Sequence, residues 1–165
     1  MIQPLKAWML RRVVAFFVAA VAMVLLGSAS HSYFVQQAWS IAAGHASGAA
    51  PAAIPFADRI SWAAHDVVGM LLPYGSVTSI TLIVAFLIAG ALTRFTGFRI
   101  LIFGVAGALA LFLLFTILKS VLGTVGIFGA RGPVGLAAQM AVGAVAGALF
   151  ARLTRLPNPP SQPAP

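Results

Sequence analysis

Three histidines, His31, His45 and His65, and the chain's only acidic residues, Asp58 and Asp66, all fall within residues 31–66. Imidazole and carboxylate groups together can ligate zinc, copper or iron, so a metal centre would have to be built from this set. The spacing argues against one. The histidines are 14 and 20 residues apart, no two share a helical turn, and no local signature such as HExxH accompanies them. Haem held between membrane histidines is disfavoured too, because none lies in a predicted span. Ser61, His65 and Asp66 could be cast as nucleophile, base and orienting acid. Ser61 and His65 are one helical turn apart, but adjacent helix positions face different directions, and no strained turn or oxyanion motif surrounds Ser61. The simpler reading is that polar residues collect in the one wet segment. No catalytic residue and no cofactor is therefore assigned, and the histidines and aspartates stand as weak metal candidates.

Gln139 is the one strongly polar side chain well inside a predicted span, and Thr78, Ser79 and Thr81 add hydroxyls to another. Such groups can line a solute path, but more often they bond a neighbouring helix or their own backbone. Gly135, Gln139, Gly143 and Gly147 recur every four residues, and Ala151 continues the series. This extended GxxxG stripe predicts close helix–helix packing. A four-residue step drifts by about 40° around a 3.6-residue helix, so the stripe is oblique.

The elements that must carry these residues follow from composition. Of 165 residues, 61% are hydrophobic and only 7% charged, and the mean hydropathy is +1.04. A bilayer core about 30 Å thick needs ~20 apolar residues per crossing, so about four helices would consume most of the chain. Lipid leaves unpaired backbone groups unsatisfied, and the short alternating segments of a membrane barrel are absent, so each span must be α-helical. The expected fold is a small all-α transmembrane bundle over residues 1–155, with spans near 9–29, 76–93, 99–119 and 134–152. Residues 156–165 (LPNPPSQPAP) form a proline-rich tail expected to be extended and disordered.

Between the first two spans, residues 44–55 (GHASGAAPAAIP) read as a loop. Ile60, Ala64, Val67, Val68 and Leu71 then recur at helical spacing, which predicts a short amphipathic helix at the membrane interface. Pro73 should end it, with the second span starting near Ser76. The basic start, the apolar run from Val13 to Leu26 and the small residues near Ala29 would also suit a signal peptide cleaved after Ala29; renewed apolar character at Tyr33, Phe34 and Val35 favours a retained helix. The tetrapeptide AGAL occurs before both Arg94 and Arg152, but it also occurs at residues 106–109, so a duplicated hairpin has little support.

The net charge of +8 comes from scattered cations with no run longer than Arg11-Arg12, which fits topology signals and lipid headgroups, not nucleic acid. Four spans place Lys6, Arg11, Arg12, Arg94, Arg99, Arg152 and Arg155 on one side and Arg59, Lys119 and Arg131 on the other. The richer side should be cytoplasmic, in a bacterial inner membrane, with Tyr33, Trp39, Trp62 and Tyr74 forming an aromatic belt on the opposite face. No charge lies at a span centre, which removes the usual coupling-ion site. The expected role is a non-enzymatic accessory, assembly or scaffolding component that contacts other membrane subunits or itself. The rival expectations are a small oligomeric channel or transporter and, behind it, a membrane metalloprotein or enzyme.

Overall fold

The computed structural model describes residues 3–123 and 127–155. They form an all-α protein of five α-helices and one 3-10 turn. Helix α1 spans Gln3–Ala46, α2 Phe56–Leu71, α3 Pro73–Leu92, α4 Arg99–Leu122 and α5 Pro133–Leu153, with a 3-10 turn at Phe128–Ala130. All except α2 are long and apolar enough to cross a membrane. Their outer faces agree: Phe17 on α1, Ile80 and Leu87 on α3, Leu101 on α4 and Val134 on α5 are 63–71% exposed. Water would not tolerate so continuous an apolar surface, whereas lipid does. The proline-rich tail, residues 156–165, lies outside the described residues.

The first helix is much longer than its apolar run. Its 44 residues extend about 66 Å, twice the thickness of a bilayer core. Hydropathy falls after Leu26, but helix geometry is set by the backbone, and no proline interrupts the chain between Pro4 and Pro51. The helix therefore runs unbroken through residue 29 to Ala46, where Gly48 takes φ +66° and the chain turns back. Only residues 47–55 form a loop, and they fold tightly onto α1. The Ala52 amide donates to the Ser40 carbonyl at 2.9 Å, and a Cβ on Gly44 would stand 2.8 Å from the Pro51 Cα.

Helix α2 runs antiparallel along the C-terminal half of α1. The Ser32 hydroxyl donates to Asp66, the Gln36 amide donates to the Arg59 carbonyl at 2.9 Å, and Trp39 meets Trp62 edge-to-face at 5.5 Å. Pro73 separates α2 from α3 by a single residue, Leu72, whose backbone is itself helical. A proline at the first position of a helix removes an amide that would lack a partner anyway. The span accordingly begins at Pro73, three residues before the expected Ser76.

Helices α3, α4 and α5 complete the bundle around a centre in which Met23, Leu82 and Leu111 are fully buried. Phe86 stacks on Phe150 at 4.7 Å and meets Phe103 at 5.5 Å, tying α3, α4 and α5 together. Helices α4 and α5 come closest. A Cβ on Gly107 would lie 2.8 Å from the Gly143 carbonyl carbon, and one on Gly147 would lie 2.6 Å from that of Phe103. Helix α4 ends at Gly123, whose φ of +69° suits a residue without a side chain.

Candidate functional site: a polar column through the bundle

The polar residues of α1 follow one stripe. Ser28, Ser32, Gln36 and Ser40 are spaced by four residues, and the first three are buried. Next to Ser28, Gly27 of α1 meets Gln139 of α5, which in turn meets Tyr74 of α3. The Tyr74 hydroxyl donates to the Gln139 side-chain oxygen at 2.8 Å, and the Gln139 nitrogen donates to the Gly27 carbonyl at 3.2 Å. Both ends of a fully buried amide are thus satisfied, as a low-dielectric interior demands. Gly27 makes this possible, because a Cβ there would lie 2.7 Å from the Tyr74 ring.

Tyr74 was expected in an interfacial aromatic belt and is instead inside, only 4% exposed. Its hydroxyl reaches Gln139 across the bundle instead of a headgroup. Tyr33, Trp39 and Trp62 lie on the α1–α2 pair, with Tyr33 and Trp39 exposed. The threonines of α3 point to their own helix: Thr78 donates to the Tyr74 carbonyl at 2.5 Å and Thr81 to that of Val77 at 2.9 Å. Among the described residues, the buried hydroxyls without a protein partner are those of Ser28 and Ser30.

Further along α1 toward its C-terminus, the His31 Nδ1 accepts the Gly129 amide at 3.2 Å, which locks the 3-10 turn to the first helix. His31 also borders a cavity of about 290 Å³ shared with Tyr74, Thr78, Leu118 and Ile127. Asp66, bonded to Ser32 next to His31, is near enough to act on that imidazole electrostatically, and the other candidates scatter. His45 is exposed in the last turn of α1, and His65 and Asp58 are exposed on α2, Asp58 in its first turn, where a carboxylate suits the helix dipole. Asp66 is turned toward Ser32 on α1, away from the exposed Ser61 and His65. Among the described residues no three of His, Cys, Asp and Glu come together as a metal site.

These placements separate the histidines by role. Replacing His45 and His65 with alanine should leave thermal stability unchanged within about 0.5 kcal/mol, the usual range for surface positions. Replacing His31 should cost about 1 kcal/mol, the net worth of one hydrogen bond. Thermal melts of the purified variants read this directly. Equal effects at all three positions would contradict the His31–Gly129 contact.

The four glycine-stripe positions meet different neighbours, as an oblique line must. Gly135 packs on the 3-10 turn at Gly129, Gln139 reaches α3 and α1, and Gly143 and Gly147 press on α4. The polar stripe on α1 is what sequence reasoning missed. Its signal was the four-residue spacing from Ser28 to Ser40, hidden because that segment reads as following a span.

The opposite end of the bundle is basic. Arg11 donates to the Leu153 carbonyl at 2.8 Å and to that of Arg155 at 2.6 Å, satisfying the open end of α5. Arg99 donates to the Thr154 hydroxyl at 2.7 Å. The guanidinium of Arg12 lies 3.7 Å over the Trp8 ring. The chain matches no family model, and no curated protein or solved structure matches it.

Proposed function

We propose that the protein is a non-enzymatic accessory or assembly component of a bacterial inner membrane, acting by contact with other membrane subunits or with its own copies. Its basic end faces the cytoplasm in this reading, following the excess of arginine and lysine there. The observation that carries the proposal is the closed centre of the bundle. Met23, Leu82 and Leu111 are fully buried between the two ends, and Gln139 is held at both ends of its amide by Tyr74 and Gly27. Of the polar groups that could have lined a solute path, Gln139 joins three helices, and Thr78 and Thr81 are turned to their own backbone. The stripe at Gly143 and Gly147 is likewise occupied by α4, so a partner must use another face.

Purification in mild detergent, with mass measurement and identification of co-purifying proteins, tests this proposal. The expected result is a stable stoichiometric partner or a defined self-assembly. A monomer that supports solute flux when reconstituted alone into liposomes would overturn it.

A further inference from the structure

At the basic end, Arg12 of α1, Arg94 in the turn after α3 and Arg99 at the start of α4 all border one crevice of about 620 Å³. Below them its walls are apolar, formed chiefly by Ile83, Phe86 and Phe103. Ile83 lies nine residues before the last residue of α3, so the crevice descends about 14 Å along that helix. One leaflet of a bilayer core is about 15 Å deep. The depth matches a single leaflet, with the charges at the mouth where headgroups lie.

Among the described residues the charges at that mouth have no anionic partner. The chain's only acidic side chains, Asp58 and Asp66, are on α2 at the other end. Arg99 bonds Thr154 through one terminal nitrogen and faces the Phe103 ring at 5.0 Å, while its Nε is buried without a partner. Three guanidinium groups around one cavity repel each other unless an anion sits among them. Arginine presents a fork of donors that fits phosphate oxygens.

We infer that this crevice is a binding site for an anionic phospholipid, with the phosphate held by Arg12, Arg94 and Arg99 and an acyl chain lying along Ile83, Phe86 and Phe103. Basic pockets between membrane helices bind such headgroups by this combination of charge and apolar wall. The apolar depth commits the site to a lipid, since a free phosphate would use only the mouth.

The test is native mass spectrometry of the protein extracted from phosphatidylcholine vesicles doped with phosphatidylglycerol. The wild type should retain phosphatidylglycerol in preference to phosphatidylcholine. Arg12→Gln and Arg94→Gln should each weaken retention about fivefold. Arg152→Gln, at an exposed cation of the same end, should not. Gly90→Leu should also reduce retention without changing any charge, because Gly90 lines the crevice and a Cβ there meets only the Phe103 ring, at 4.0 Å. A melt of each variant in lipid-free detergent identifies any that fails to fold, and only folded variants are compared. Equal retention of the two lipids, or an Arg152→Gln effect as large as that of Arg94→Gln, would overturn the site. Full retention by Gly90→Leu, together with displacement of the lipid by inorganic phosphate, would reduce it to a free-anion site and overturn the acyl-chain assignment.

Discussion

Gly147→Ile is expected to destabilise the bundle, not to dissociate an oligomer. Helix α5 lies so close to α4 that a single Cβ on Gly147 would stand 2.6 Å from the Phe103 carbonyl carbon and 3.1 Å from the Gly104 amide nitrogen. These are backbone atoms, which cannot swing aside as a flexible side chain could. A branched side chain there must force the two helices apart, and with them the Phe86–Phe103–Phe150 cluster that bridges α3, α4 and α5.

Between lipid-bathed helices the hydrophobic effect gives no net attraction, so dispersion across the close approach supplies much of the association energy, and separation forfeits it. Overpacking typically costs 1–3 kcal/mol and occasionally more, and the rigid neighbours place this site at the upper end, about 3 kcal/mol. For a chain of this size that is a fall in melting temperature of roughly 6–12 °C. Gly143→Ile should act in the same direction, because a Cβ there would sit 2.8 Å from the Gly107 carbonyl carbon. The two effects should not add, since either one already parts the helices. Gly69→Ala is the control: α2 exposes Gly69, and nothing lies within 4 Å of the added carbon. Thermal stability and oligomer mass are measured together. A lower oligomer mass with unchanged melting would place the stripe between chains and refute this account.

Gln139→Leu should cost about 1–2 kcal/mol, and Tyr74→Phe a comparable amount. Each single change leaves a buried polar group without its partner, the Tyr74 hydroxyl in the first case and the Gln139 oxygen in the second. Stranding such a group costs about 1–3 kcal/mol, whereas measured membrane hydrogen bonds average only about 0.6 kcal/mol, with a maximum near 1.7. The double variant is therefore the informative one. Removing both partners should destabilise by clearly less than the sum of the singles, since leucine and phenylalanine strand neither a hydroxyl nor an amide. Chemical or thermal denaturation of all four proteins yields the coupling energy. Strict additivity would mean that Tyr74 and Gln139 do not meet in the membrane, and the polar column would lose its central link.

The apolar runs, broken only by Pro73, by the basic turn around Arg94 and by the glycine-rich segment before Pro133, determined the helical class and the four long spans. Helix formation is local: each backbone bond joins residues four apart, so length, hydropathy and breakers suffice. The two-ended charge pattern was legible for a similar reason, because alternating crossings sort Arg12, Arg94, Arg99 and Arg152 onto one side by counting alone. Hydropathy misjudged α1, since it reports the surroundings of a helix and not its continuity. The run turns polar at Ser28 while the backbone stays helical to Ala46.

Tertiary structure alone decided what the functional candidates touch. Tyr74 resembles an interfacial anchor in sequence, yet it points inward because Gln139, 65 positions away, and the side-chain-free Gly27 leave it a polar pocket. His31 finds the Gly129 amide across 98 positions, and Asp66 turns to Ser32 and away from its neighbour His65. Arg12 and Arg99 come from α1 and α4 and Arg94 from the turn after α3, and they border one crevice only when these segments pack. Periodicity shows which residues share a face of a helix, but the neighbour that face meets depends on how all the helices fill space together.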